Sequence, residues 1–258
     1  MAPGELISNF KNAFANYTNT FKSAPYNEDP SIERTIQHTE RVVENILVLA
    51  RSLDLTENEL HIAEIAARFH DIGRLWLILP ENSETKITDH AEASIEYLNT
   101  NSTFRELDES AQSIILNVIR NHNKPDLPKK EGESVLFYVK LLRDADKLDT
   151  WRSTTEYLAR KGTKPTMAVE MNLSDKVMVT PALCRTIIEG GIPNKTDIVT
   201  FNDFIIFQMS WIFDLNFKKS FQLLNQKQYI RYLYDSLPKN DSVIEIYRMI
   251  RIYIENQL

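Results

Sequence analysis

Histidine is scarce in this chain, and the placement of its five histidines is the most informative feature of the sequence. His38, His70, His90 and His122 all fall in stretches of helical periodicity, and the last three fall near the expected ends of their helices. Asp71 follows His70 directly. Consecutive helical residues are rotated by about 100°, so an ion lying between those two directions can be held by both side chains. An isolated His-Asp dipeptide reads more readily as a buried histidine hydrogen-bonded to its neighbour, and only further partners make it a ligand pair. Neutral imidazoles and carboxylates without thiolates suit manganese, iron, cobalt, nickel or zinc.

The fifth histidine reads differently. His61 shares a face with Glu64 and Arg68, and that face reads as polar surface rather than as a metal site. His38 sits at the edge of the apolar arc that holds Val42 and Leu49, while Arg41 and Glu44 read as solvated. On the helix expected from Glu133 onward, Asp146 and Asp149 fall about 40° and about 20° from Leu142, within the apolar sector of Val135, Val139 and Ala145. A carboxylate there is costly unless paired or bound to metal, which makes Asp146 the ligand candidate and Asp149 an orienting group. Asp144 falls on the side away from that sector, with Lys140 and Lys147, and reads as a group at the rim of the site or behind its ligands.

The elements that must carry these groups are helices. The spacing predicts helices over about 5–17, 30–53, 57–73, 90–98, 106–123 and 133–161, then 182–189, 200–224, 226–236 and 241–256. Asp29 with Pro30 opens the second. Thr56 and Glu59 form a capping box, with Leu55 and Leu60 as its staple. Gly73 is expected to end that helix in the left-handed conformation, Asp89 with Glu92 opens the next, and Pro125 and Gly162 act as stops. Residues 163–181 read as a loop or short β-hairpin. Trp211, Phe213, Phe217 and Phe221 are spaced as a core stripe rather than as base-stacking rings. No composition shift marks a boundary, so one all-α domain over 1–258 is expected, with a core over about 30–162 and a helical extension over about 182–258.

Composition excludes several classes. A net charge of −6 argues against a surface that binds nucleic acid or an anionic membrane broadly. The single cysteine, Cys184, rules out a disulfide framework and a Cys-rich zinc site, and fits a reducing compartment. Six glycines include no phosphate-cradling loop. The N-terminus lacks the basic and apolar regions of a signal peptide. No apolar run approaches about 18 residues; FNDFIIFQMSWIF is interrupted by Asn202, Asp203, Gln208 and Ser210. A cytoplasmic protein is expected. The pattern carries no signal for oligomeric state.

Taken in chain order, His38, His70-Asp71, His90, His122 and Asp146, within HTERVVENI, FHDIGRLW, DHAEASIEYL, IRNHNK and RDADKLDTW, resemble the metal-site signature of the HD-domain superfamily of helical metal-dependent phosphohydrolases. FQMSWIFDLNF also looks like a segment of a little-characterised HD family of about this length. The resemblance implies that His38, His70, Asp71 and Asp146 hold a first divalent ion, and that Asp71 bridges to a second held by His90 and His122. It implies an HD-type helical bundle in which a metal-bridging hydroxide cleaves a phosphate ester or anhydride of a small substrate, a nucleotide for preference. No Gly-Tyr-Pro motif follows the HD pair, which sets the chain apart from cyclic-di-GMP phosphodiesterases, and the synthetase region of bifunctional ppGpp enzymes is absent.

In this reading Asp71 is the central catalytic carboxylate, and Arg74 and Lys147 are candidate phosphate contacts with a catalytic role. Asn121 and Asn123, which flank His122, are candidate substrate or water contacts, and Arg143 and Arg152 are weaker phosphate candidates. Two alternatives stand beside it: a mixed-valent di-iron oxygenase, which uses the same six ligands, and a non-catalytic nucleotide sensor, against which a complete ligand set argues.

Overall fold

The computed structural model describes residues 3–23, 25–160, 173–174, 176 and 178–258. The chain divides into two compact units, Met1–Asp146 and Lys147–Leu258. Their boundary lies inside a continuous helix rather than in a linker, which explains why no composition shift marks it.

The first unit contains α1 (Pro3–Asn19), α2 (Pro30–Arg51), α3 (Glu57–Phe69), α4 (Ile72–Trp76), α5 (His90–Thr100), α6 (Glu109–Asn121) and the first half of α7 (Glu133–Arg160). Helix starts follow the local chemistry read from the sequence. Asp29 accepts from Ser31 N, Thr56 and Glu59 form the capping box, and Asp89 and Asp108 cap α5 and α6. Each such cap is worth about 1 kcal/mol. Helix α3 packs against α1, α2 and α6, and α5 packs against α4 and α6. Val42, Ile46 and Leu49 of α2, Ala63 and Ala67 of α3, and Ile115 and Ile119 of α6 are buried between them.

Two readings of this unit require correction. The helix that starts at Glu57 does not run to Gly73: it ends at Phe69 with His70 as its cap, and Asp71, at φ −110° and ψ 8°, opens the short α4. Gly73 is therefore inside a helix, and its role is close approach. A Cβ there would lie 2.1 Å from His90 O and 2.5 Å from Ser94 N. The face of α3 around His61 is not free surface either. Glu64 is buried, paired with Arg68 at 2.7 Å and Lys11 at 3.3 Å. Helix α1 covers that face, a tertiary event that helical periodicity does not reveal.

The second unit continues α7 and adds α8 (Pro181–Ile188), α9 (Phe201–Ser210), α10 (Lys218–Gln226), α11 (Tyr229–Ser236) and α12 (Asp241–Gln257). The single helix expected over 200–224 is broken by a 3-10 turn, Trp211–Asp214. Ser210 Oγ donates to Phe207 O at 2.6 Å, a local bond that competes with helix propagation. The break lets both the carboxylate and the carbonyl of Asp214 accept from Lys147 Nζ, at 2.5 and 3.1 Å. Trp211 and Phe221 are buried, and Phe213 and Phe221 pack against Tyr253, so these rings serve the core although they do not share one helix.

No strand occurs among the described residues; Ser174 and Thr200 form one isolated parallel bridge. Most of the expected loop or hairpin at 163–181, and Gly162, lie outside the described residues. No helix among the described residues is long and apolar enough to cross a membrane.

Candidate metal centre

The break between α3 and α4 places Asp71 at the middle of four histidines. His90 Nε2 and His122 Nε2 lie 3.2 and 3.7 Å from Asp71 Oδ1. His38 Nε2 and His70 Nε2 lie 3.8 and 3.7 Å from Oδ2. Asp146 joins the second group, its Oδ1 3.2 Å from His38 Nε2. Two sets of atoms are close enough to share an ion: His38, His70 and Asp146, and His70, Asp71 and His122. His61 belongs to neither.

Each ligand candidate is delivered by a helix end or an inward helix face. His70 and His122 cap the C-termini of α3 and α6, and His90 is the first residue of α5. The turn carbonyls orient the rings. His70 Nδ1 lies 2.7 Å from Ala67 O and His122 Nδ1 lies 2.6 Å from Ile119 O. A carbonyl only accepts, so both Nδ1 atoms carry the proton and both Nε2 atoms present lone pairs to the centre.

The electrostatics agree with neutral rings around ionised carboxylates. Burial lowers His70 to about 4 and His90 to about 3, against the opposing pull of Asp71. Burial pushes Asp71 up, but Arg74, His70 and His90 outweigh it and hold the carboxyl well below its usual range. Asp146 follows the same logic, with His38 overcoming the cost of burial.

The donor set fits a divalent cation. His70 Nε2 and Asp71 Oδ1 are buried with no hydrogen-bond partner. His90 Nε2 and His122 Nε2 face each other at 3.4 Å, an arrangement in which the His122 atom has no proton to donate. Buried polar atoms left this way cost about 1–3 kcal/mol each unless something else satisfies them. Imidazole nitrogens with carboxylates are the ligands that divalent transition ions take.

Ser94, a fully buried residue that sequence reasoning missed, fixes the spacing between the HD turn and α5. Its hydroxyl accepts from Gly73 N at 2.8 Å and lies 2.8 Å from His70 O and 2.9 Å from His90 O, either of which can take its proton. Nothing in a single sequence distinguishes this serine from any other small helical residue.

The other expected site residues have mixed placements. Arg74 Nε donates to Asp71 Oδ2 at 2.7 Å, so Arg74 is at the centre. Lys147, in the second unit, is paired with Asp214 and largely buried. Asn121 Nδ2 donates to Asn117 O, and Asn123 Nδ2 to Asp89 Oδ1. Arg143 is buried and donates to the carbonyls of Lys124 and Pro125, which makes it a backbone clamp rather than an exposed phosphate contact. Arg152 pairs with Glu156 on the surface. Asp144, expected at the rim or behind the ligands, is fully buried, which rules out the rim; Asp149 is fully buried too. Helix α7 is covered on more sides than its apolar sector implies.

Residues 35–151 match the HD domain family. The match does not extend over the C-terminal part of the chain, which holds FQMSWIFDLNF. No curated protein and no solved structure matched the chain. The matched span contains all six ligand candidates and the turn that gathers them, so the chain carries an HD domain.

Proposed function

We propose that the protein is a metal-dependent phosphohydrolase that cleaves a phosphate ester or anhydride of a small phosphorylated substrate, a nucleotide in the first instance. The observation that carries this reading is Asp71, whose two oxygens face two different histidine pairs. His38, His70, Asp71 and Asp146 would hold one divalent transition ion, and Asp71, His90 and His122 a second. When bound, such ions supply Lewis acidity and a water acidic enough to attack near neutral pH.

The chain's own residues prepare that chemistry. Burial keeps His70 and His90 neutral at pH 7, so they act as ligands and not as competing cations. Ala67 O and Ile119 O hold the rings of His70 and His122 in the tautomer that binds. Arg74 fixes Asp71 through Nε, and its partly exposed guanidinium is our candidate for orienting the substrate phosphate. A phosphate role for Lys147 would have to compete with Asp214, and Lys147 is the weaker candidate for that reason. A cytosolic setting goes with this reading, since Cys184 is buried and unpaired and the site needs no thiolate.

The test is metal analysis of the purified protein coupled to a phosphate-release screen against nucleotides and simple phosphate esters. Bound transition metal is expected, with phosphate release that a chelator abolishes and added metal restores. Oxygen uptake and substrate oxidation without phosphate release would replace the proposal with an oxygenase. Tight nucleotide binding without turnover in metal-replete protein would replace it with a sensor.

A further inference from the structure

The two histidines on the Oδ1 side of Asp71 come from different helices, and a clasp of three side chains joins the residues next to them. Asp89 immediately precedes His90, and Asn123 and Lys124 immediately follow His122. Asp89 Oδ1 accepts from Asn123 Nδ2 at 2.8 Å, and Asp89 Oδ2 accepts from Lys124 Nζ at 2.5 Å. The same Oδ1 accepts from Ala91 N, so one carboxylate caps α5 and grips the segment after α6. Arg143 holds that segment from the other side, through the carbonyls of Lys124 and Pro125.

Helix capping alone would need only the bond to Ala91 N. The remaining bonds do not contribute to the helix; they span more than thirty residues of chain and close around the His90–His122 pair. Their geometric effect is to hold the Nε2 atoms of His90 and His122 3.4 Å apart, both facing Asp71 Oδ1.

We infer that Asp89 and Asn123 are positioning residues for the second ion, acting through His90 and His122, and that Asn123 serves the metal centre rather than the substrate. The inference rests on the two-ion reading above. Removing groups that orient metal ligands typically costs about 10–100-fold in metal affinity. The effect here should be confined to one of the two ions, because the clasp flanks His90 and His122, whereas His38, His70 and Asp146 are carried by α2, the end of α3 and α7.

The experiment titrates chelator-treated full-length protein with Co²⁺, following visible absorption for the ligand field and bound metal for stoichiometry. Wild type, Asn123→Ala, Asp89→Asn and His90→Ala are compared. Asp89→Asn keeps a side-chain oxygen to cap α5 while removing the charge that Lys124 pairs with. Wild type should take up two ions and His90→Ala one. Asn123→Ala should bind the first ion as wild type does and the second at least about tenfold more weakly, with unchanged helicity by circular dichroism. Asp89→Asn should weaken the second ion in the same selective way. Two ions in wild type, with both clasp variants binding them at wild-type affinity, would overturn the inference and leave the two-ion reading intact. Equal weakening of both ions would also overturn it, since the clasp would then act on the fold as a whole. A single ion in wild type would remove the two-ion reading and the inference with it.

Discussion

Asp71 and Asp203 are both buried carboxylates at helix starts, one in each unit, and they are treated in opposite ways. Asp203 is fully satisfied by protein: it accepts from Thr180 N, Thr180 Oγ1, Val199 N and Thr200 N at 2.7–3.2 Å. Asp71 Oδ2 accepts from Arg74 Nε, and Oδ1 has no hydrogen-bond partner. Around Asp203 stand backbone amides and hydroxyls, which donate. Around Asp71 stand imidazole nitrogens, two of them shown to be lone pairs by their Nδ1 bonds. A carboxylate facing donors is complete as it stands, whereas a carboxylate facing other acceptors calls for a cation. That contrast separates a structural acid from a ligand more sharply than burial does, because burial is nearly the same for both.

The contrast can be broken most directly by removing each acid in turn. Asp71→Ala should abolish metal uptake and phosphate release while the protein stays helical. Asp203→Ala should leave metal content unchanged, and it should cost roughly 3–5 kcal/mol in urea unfolding, since four donors lose one acceptor. Equal effects of the two variants on metal and on stability would erase the distinction.

The pH dependence of the metal-free protein sharpens the same point. His70 is lowered from 6.5 to about 4 and His90 to about 3, so both are neutral in the folded state. Above pH 6.5 their contribution to stability is fully present. As pH falls below 6.5 the unfolded chain takes up protons that the folded chain refuses, and stability falls until about pH 4 for His70 and about pH 3 for His90. For His70 alone the loss is on the order of 3 kcal/mol. Thermal unfolding in the presence of a chelator should show the midpoint dropping across this window. A midpoint that rose on acidification would mean a charged histidine paired with Asp71, a structural ion pair like many others.

The smallest expected effect comes from Gly73→Ala. The added methyl would meet backbone of His90 and Ser94, and neither can move without shifting α5. A loss of roughly 2 kcal/mol is expected from overpacking, read as a lower melting temperature, together with weaker metal uptake. Retained stability would show that the α4–α5 approach is looser than this close contact implies.

Local chemistry was well written in the sequence. The caps at Asp29, Thr56 and Asp89 depend only on residues within one turn, and they open their helices where the short-range pattern puts them. The six ligand candidates were legible for a related reason, since histidine and aspartate at inward helix positions are expensive and their order along the chain is distinctive. The failures share a physical cause. Gly73 looked like a helix stop because a glycine's freedom is visible in sequence while a neighbouring helix is not. Glu64 looked like polar surface and Arg143 like a phosphate contact because a helical wheel assigns one buried face, whereas α1 covers the first and the segment after α6 engages the second. The helix over 200–224 looked continuous because its break is stabilised by Lys147, far away in the chain.

What the sequence determined by itself was the helical class, the helix starts and the identity of the groups able to hold a metal, all properties of residue type and short-range spacing. Tertiary structure alone decided that Asp71 turns one oxygen to each histidine pair, that Lys147 is held by Asp214, and that Asp89 and Asn123 clasp His90 to His122. Those outcomes depend on distances between segments tens of residues apart, and such distances are set by how helices pack rather than by any periodicity within them.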